Sequence, residues 1–144
     1  MINDNKDLRE ILKGAKTIAM IGCSPNVYRT SNYAAQYLQK RGYRVIPVNP
    51  EADNIYNEKS FDNLNDISEN ISIDIVNVFR NSKYSADAVR DVQAWQEKTG
   101  QKPVIWTQLD VSSEEAEEIA EEHELPYVKN RCIMVEYDRL MGEE

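Results

Sequence analysis

Short apolar runs alternate with segments of helical periodicity along this chain, and the alternation limits the possible folds more than any other feature. Compact apolar and β-branched runs, which are typical of buried strands, occupy residues 16–22, 43–48, 73–79, 103–106 and 126–128. Apolar residues at helical spacing predict helices over residues 4–13, 31–41, 82–99, 113–123 and 131–140. This order predicts an α/β fold, a doubly wound sheet of about five mostly parallel strands with helices on both faces.

The composition predicts one globular domain, and the net charge limits the classes of partner that it can bind. The 144 residues are 41% hydrophobic and 29% charged, which predicts a single domain over residues 1–144. The net charge of -8 opposes binding to nucleic acid and to anionic membrane surfaces. No apolar stretch approaches the roughly 20 residues that span a bilayer, and the polar opening lacks the pattern of a signal peptide. We therefore expect a cytoplasmic protein.

Three side chains are candidates for reactive or metal-binding roles. Cys23, Cys132 and His123 are too few and too dispersed for a four-ligand zinc site, so no metal site is expected. His123 follows the fourth strand by a whole helix, which favours a core or helix-end histidine over a member of a catalytic triad. No catalytic residue is predicted.

Cys23 lies just after the first strand and has two interpretations. A nearby helix start and Arg29 would lower the pKa of the thiol and make it a nucleophile or the site of a mixed disulfide. The interpretation that we favour is a small residue that fills the loop. Cys132, near the start of the last predicted helix, is expected to be packed.

The densest run of charge, residues 112–124, is expected to be a helix with a solvated face rather than an acidic tail or a metal site. Its apolar residues recur at helical spacing, and two serines precede them. The spacing predicts Ser112 as the N-cap, with Glu115 at the reciprocal position of a capping box.

In an open parallel sheet, a ligand binds beyond the carboxyl ends of the strands, where the strand order reverses. Four loops of this chain are expected there, at residues 22–31, 49–50, 79–82 and 107–109. The first leads into a helix predicted to begin at Thr30 or Ser31, and a helix start favours an anion such as a phosphate. Gly22 would let the chain turn close to the ligand, and Arg29 would add a mobile charge. The plainer interpretation is an ordinary turn with an N-cap.

The third loop brings a second cation to the same edge of the sheet. Arg80 follows the third strand on an otherwise acidic chain, which suggests either an anionic ligand or a surface salt bridge. Phe79 is expected to be the last core residue of that strand. The alternative is that its ring forms a wall for an adenine or a pantetheine arm.

Two departures argue against a dinucleotide. Of the glycine pattern of dinucleotide sites only Gly22 is present, and the second strand ends in Asn49 and Pro50 where NAD-binding proteins carry a carboxylate. These departures weaken an NAD(H)-binding oxidoreductase or redox sensor without excluding it. An FMN-binding protein of the flavodoxin type is a further alternative.

Four segments together resemble a known family. They are IAMIGCSPNVYRTSNYAAQYLQKRGYRVIPVNP, DIVNVFRNS, VIWTQLD and NRCIMVEYDRL, in order from about Lys16 to Leu140. The chain resembles the small stand-alone CoA-binding domain proteins, which are similar to the N-terminal CoA-binding domain of the succinyl-CoA synthetase alpha subunit. The resemblance implies a Rossmann-like fold that binds coenzyme A or an acyl-CoA across the carboxyl ends of the strands, and we expect no catalysis of its own.

Carried over residue by residue, the resemblance implies a set of ligand-binding positions. Those facing the phosphates match Gly22, Ser24, Asn26, Arg29 and Ser31, and the candidates from this loop also include Cys23 and Thr30. Asn49 and Pro50 would shape the adenine side, and the rest of the ligand would be lined by Phe79, Arg80 and Gln108. A carboxylate at the end of the second strand would repel the 3′-phosphate of CoA, so Asn49 favours CoA at that position.

Three positions depart from the family pattern. Thr30 stands where the family often has Pro, Asn57 where it often has Gly, and Met134 where a basic residue is common. Because Asn tolerates left-handed backbone, Asn57 is expected to keep the turn. Met134 weakens a ligand-binding role for the last helix.

Overall fold

A computed structural model describes residues 1–142, and its elements follow the predicted order. The helices are α1 (Asn5–Gly14), α2 (Thr30–Lys40), α3 (Ser85–Thr99), α4 (Glu114–Glu122) and α5 (Ile133–Met141). The strands are β1 (Thr17–Ile21), β2 (Arg44–Val48), β3 (Asn54–Ile55), β4 (Glu58–Lys59), β5 (Ile75–Val78), β6 (Val104–Thr107) and β7 (Tyr127–Val128). Short 3-10 helices, Leu64–Asp66 and Ser82–Tyr84, precede β5 and α3. Every predicted strand and helix is present, with bounds within three residues of the prediction.

The main sheet contains five parallel strands in the order β2-β1-β5-β6-β7. β1 lies between β2 and β5, so Ala19 faces Ile46 on one side and Val76 on the other. From β1 the chain passes through α2 to β2, whereas from β5 it moves in the opposite direction through α3 to β6. The strand order therefore reverses between β1 and β5, and this confirms the predicted doubly wound fold.

Alternation along β1 divides the core into two layers. Ile18 and Met20 pack with the apolar faces of α1, α2 and α5, whereas Ala19 and Ile21 pack with α3 and α4. No helix within residues 1–142 combines the length and apolarity that crossing a bilayer requires. Because helices cover both faces of the sheet, its strands are nearly continuous apolar runs, which is why the sequence pattern locates them.

The start of α4 differs from the prediction by one residue. Ser113 is the N-cap, and its side chain accepts a hydrogen bond at 3.1 Å from an amide of the first turn. Ser112 instead donates to a carboxylate oxygen of Glu117 at 2.8 Å and lies 2.7 Å from the Tyr127 hydroxyl. The predicted capping box of Ser112 and Glu115 is wrong because Ser112 is engaged by β7, a contact that local spacing does not encode.

β3 and β4 form a two-stranded hairpin that the sequence pattern does not predict. Its turn residues, Tyr56 with φ of 49° and Asn57 with φ of 68°, are both left-handed, as a type I′ turn requires. The expectation for Asn57 is therefore confirmed. The Tyr56 hydroxyl donates to Asn32 Oδ1, and Gln39 Nε2 donates to the Tyr56 carbonyl at 2.9 Å. The hairpin thus holds α2 from outside the main sheet.

Leu38 tests how strongly packing on the sheet stabilises α2, since it is fully buried in the layer formed by α1, α2 and α5. Leu38→Ala is expected to lower the free energy of unfolding by about 2–5 kcal/mol, because lost burial and a residual cavity add. Chemical denaturation followed by circular dichroism measures the change. Val135→Ala is the control, at a side chain 59% exposed on α5, and should cost less than about 0.5 kcal/mol. Equal losses for the two variants would contradict this packing.

Candidate functional site

The loops after β1 and β5 leave the sheet on opposite faces. The first leads to α2 in one core layer, and the second leads to α3 in the other. Because β1 and β5 are neighbours, their carboxyl ends border a crevice. A cleft of about 270 Å³ opens there, and its wall includes four of the predicted residues, Gly22, Asn49, Pro50 and Arg80.

Gly22 brings these two loops into contact. Its φ of 87° is left-handed, and a Cβ at this position would lie 2.6 Å from the Phe79 carbonyl oxygen and 3.0 Å from Arg80 Cγ. The Gly22 amide donates to the Val48 carbonyl at 2.9 Å, and the Phe79 amide donates to the Ile21 carbonyl at 2.8 Å. Backbone pairing therefore continues up to the point where the loops separate, and glycine satisfies both the backbone conformation and the close approach.

Ser24 and Ser31 hold the first loop on the start of α2. The Ser24 amide donates to Ser31 Oγ at 2.9 Å, and Ser24 Oγ accepts from the Asn26 amide at 3.0 Å. Asn32, which is 3% exposed, donates from Nδ2 to the Ser24 carbonyl at 2.9 Å. Hydroxyls predicted to face a ligand are thus used to shape the loop, and the loop reaches its conformation through contacts within the chain.

The N-terminus of α2 leaves donors for an external acceptor. Arg29 is its N-cap and makes no side-chain capping hydrogen bond. The Arg29 carbonyl accepts from the Asn32 and Tyr33 amides at 3.1 and 3.2 Å, whereas the Thr30 and Ser31 amides meet no acceptor among residues 1–142. Free amides, the positive end of the helix dipole and an exposed guanidinium are features that favour an anion at a helix start.

Arg80 lies at the other side of the crevice. Its exposed guanidinium is 5.1 Å from the centre of the Tyr84 ring and forms no salt bridge with the carboxylates of the described chain. The surface salt-bridge interpretation is therefore wrong. Phe79 is half-buried against the core layer of α1, α2 and α5, as expected for the last core residue of its strand. Arg29 and Arg80 thus both remain available for an anion.

Asn49 ties the second loop to the first. Its Nδ2 donates to the Cys23 carbonyl at 2.8 Å, and its Oδ1 accepts from the Glu51 amide at 2.8 Å. Its own amide donates to the Phe61 carbonyl at 2.8 Å. Asn49 therefore links the loop after β2 to the loop after β1, and Pro50 follows it as an exposed part of the cleft wall.

Three carboxylates line the cleft in addition to the predicted residues. They belong to Glu51, Asp62 and Asp91. Asn49 at the end of β2 is not a carboxylate, but Glu51 follows it by two residues, Asp62 follows β4 and Asp91 belongs to α3, so acidic side chains do lie beside the end of β2. Burial raises the pKa of Asp91, while a hydrogen bond from Asn63 at 3.3 Å and the charge of Arg80 act in the opposite direction.

Gln108 and Asn26 are not part of this cleft wall. Gln108 is 8% exposed, and its Oε1 accepts from the Ile133 amide at 3.4 Å at the start of α5. Asn26 is exposed, and its Oδ1 accepts from the Tyr28 amide at 2.9 Å. Both residues follow the carboxyl ends of strands, as predicted, but the sequence carried no signal for the direction of their side chains.

Cys23 is enclosed in the core layer of α1, α2 and α5. It is 0% exposed, and burial raises the pKa of its thiol to about 12. The hypothesis of a reactive thiol of lowered pKa is therefore wrong. The other interpretation, a small residue that fills the loop, is confirmed.

The two remaining candidates lie at helix ends. Cys132 is the half-buried N-cap of α5, and His123 is the half-buried C-cap of α4, which agrees with a helix-end histidine. Across residues 1–142, no three His, Cys, Asp or Glu side chains come together as a metal site would require.

Comparison with known protein families shows which family this chain belongs to. A family model described as a CoA binding domain matches residues 16–138. The chain belongs to this CoA-binding domain family. The match begins one residue before β1 and ends within α5, so it includes all the loops of the crevice.

Relatives of this CoA-binding domain protein match it along nearly their whole length. YneT, an uncharacterized protein of Bacillus subtilis (strain 168), is 34% identical over 136 residues, which cover 94% of this chain and 96% of YneT. A hypothetical protein from Pyrococcus horikoshii OT3 has a solved structure with a TM-score of 0.87 at 36% identity, covering 97% of this chain and 94% of its own. A solved structure of a Thermus thermophilus protein has a TM-score of 0.87 at 33% identity, and the match covers 96% of this chain and 100% of that protein's chain. These neighbours share the Rossmann-like fold.

Gly22→Ala tests the close approach of the two loops. The new methyl group would meet the Phe79 carbonyl at 2.6 Å, so the variant is expected to lose more stability than φ strain alone causes, which is about 1 kcal/mol. Gly100→Ala is the matched control, because its φ is 78° and nothing lies within 4 Å of the new Cβ. Urea denaturation of both variants compares them. Similar losses would contradict a steric role for Gly22.

Cys132→Ser leaves Cys23 as the sole thiol and tests its burial. A buried thiol with a pKa of about 12 is almost fully protonated at neutral pH, so modification by a water-soluble disulfide reagent should be more than about 100-fold slower than that of a free thiol. The reaction is followed by absorbance, and labelling in denaturant verifies that the thiol is intact. A native rate equal to the denatured rate would contradict the burial.

Proposed function

We propose that this protein binds coenzyme A or an acyl-CoA through the loops at the carboxyl ends of its strands, without catalysis of its own. The observation that carries the proposal is the start of α2 in a member of the CoA-binding domain family, where the Thr30 and Ser31 amides and the Arg29 guanidinium meet no partner among residues 1–142. Arg80 forms no salt bridge among these residues and lies at the same edge of the sheet, against Gly22 of the loop that leads to α2. A nucleotide diphosphate is the part of CoA that such a site fits.

The diphosphate would lie against the start of α2. The Thr30 and Ser31 amides supply donors there, and Arg29 and Arg80 supply charge from the two sides of the crevice. Both arginines are exposed on a chain whose net charge is -8, and Arg29 directly precedes the free helix amides. Charge-assisted hydrogen bonds to phosphate are stronger than neutral ones, so this corner supplies most of the affinity.

The rest of the ligand would follow the same edge of the sheet. The adenosine end lies beside Asn49 and Pro50, and the pantetheine arm runs past Phe79 toward the end of β6, where Gln108 meets α5. The first loop is held in shape by the side chains of Ser24, Asn26 and Ser31 and by the backbone of Gly22 and Cys23, while the Ser31 amide stays free for the phosphate.

The proposal of binding without catalysis rests on the burial of Cys23 and on the position of His123. Cys23 is buried with a raised pKa, and His123 ends α4 away from the cleft wall. We also propose that the protein works in the cytoplasm as one domain over residues 1–144. Its two free cysteines are consistent with a reducing compartment.

NAD(H) is the second candidate, and the acidic side of the cleft is the observation that favours it. In dinucleotide sites a carboxylate at the end of the second strand binds the ribose hydroxyls, and Glu51 and Asp62 are near that end. A thermal-shift panel of CoA, acetyl-CoA, dephospho-CoA, NAD, NADP and FMN separates the candidates. The proposal expects the three ligands with a pantetheine arm to give the largest shifts, whereas a shift with NAD alone would contradict it.

Arg29→Gln and Arg80→Gln test the phosphate corner. Each removes one guanidinium from the crevice, so affinity for CoA should fall by about tenfold or more, as measured by isothermal titration calorimetry. Arg44→Gln is the matched control, since Arg44 is 49% exposed at the amino end of β2 and pairs with Glu58 at 3.0 Å. Wild-type affinity in both crevice variants would remove the arginines from the site, and no binding by wild-type protein would reject the function.

A further inference from the structure

The nucleoside side of the crevice carries an excess of negative charge. Glu51, Asp62 and Asp91 face the same cleft of about 270 Å³, and Arg80 is the single cation of its wall. None of the three carboxylates forms a salt bridge within residues 1–142. The negative charge in the cleft is therefore only partly compensated by the chain.

The position of these carboxylates beside the end of β2 determines which part of a nucleotide they would face. In doubly wound sheets, the ribose of a bound nucleotide lies at the end of the strand that follows the phosphate-binding loop and its helix, which here is β2. Val48, the last residue of β2, lines the cleft together with Gly22 of the phosphate-binding loop. A diphosphate at the start of α2 would thus place its adenosine ribose beside Glu51 and Asp62.

Carboxylates favour a ribose with free hydroxyls and repel a ribose that carries a phosphate. They accept hydrogen bonds from free ribose hydroxyls, whereas a phosphate on the ribose adds between about one and a half and two negative charges at neutral pH. Asp91 is held in place by Asn63, whose Nδ2 donates to it at 3.3 Å and whose Oδ1 accepts from the Asn65 amide at 2.9 Å. Burial raises the pKa of Asp91, and an additional anion beside this carboxylate would be repelled by its charge.

We propose that this cleft selects against a 3′-phosphate, so that the preferred ligand is an adenosine diphosphate with free ribose hydroxyls and a pantetheine arm, as in dephospho-CoA. The inference rests on the proposed function, because it assumes that the diphosphate binds at the start of α2. Glu51 and Asp62 are the specificity-determining residues that can be tested most directly, since both side chains are solvent-accessible and unpaired within the described chain.

Calorimetric titration of the full chain with CoA and with dephospho-CoA at one ionic strength tests the inference. Wild-type protein should bind dephospho-CoA more tightly by about tenfold, the size expected for like charges in a partly solvated site. The E51Q/D62N variant should reduce this ratio by recovering affinity for CoA. E118Q is the control, because Glu118 is exposed on α4 and does not line the cleft, and it should leave the ratio unchanged.

The other possible outcomes of this titration contradict different parts of the inference. Equal or tighter binding of CoA by wild-type protein overturns the selection against the 3′-phosphate while leaving the proposed function standing. A wild-type preference that E51Q/D62N leaves unchanged overturns the assignment to these two carboxylates. Failure of both ligands to bind wild-type protein rejects the proposed function and the inference that rests on it.

Discussion

The close approach of the loops after β1 and β5 is the constraint on which the site depends. These neighbouring strands send their chains to opposite faces of the sheet, so their ends must separate, yet Gly22 keeps the two backbones in contact. The contact brings Arg80 to the loop that ends at the start of α2. Asn49 adds the end of β2 through its bond to the Cys23 carbonyl. Three loops far apart in sequence thereby form one wall.

The fold was predictable because its signals are local. Strands covered on both faces are continuous apolar runs, and helices with one buried face repeat at helical spacing. The β3–β4 hairpin was missed because its strands are two residues long and its turn uses Tyr56 and Asn57 instead of glycine. The N-cap of α4 was misplaced because Ser112 is taken by a contact with Tyr127, which lies in another strand.

The candidate site was predictable in position but not in detail. Chain order placed Gly22, Asn49, Pro50 and Arg80 at one edge of the sheet, and the structure brings them to one cleft. Burial of Cys23 depends on the layer formed by three helices, so no local pattern could distinguish it from an exposed thiol. Of the cleft carboxylates, Glu51 follows β2 within three residues, whereas Asp62 and Asp91 come from later in the chain, and only folding brings them to the same cleft. Fold position therefore predicts the edge of the sheet at which a ligand is expected, whereas the charge of the surrounding surface depends on residues from several segments.

The most direct test is a titration of isotopically labelled protein with CoA, followed by amide chemical shifts in NMR spectra. If a diphosphate binds at the start of α2, the amide resonances of Thr30 and Ser31 move most, those of Gly22 and Arg80 move with them, and all four saturate together. Residues at the amino ends of the strands, such as Arg44, stay unchanged. Saturable shifts confined to another surface, or no saturable shift at all, would contradict the account.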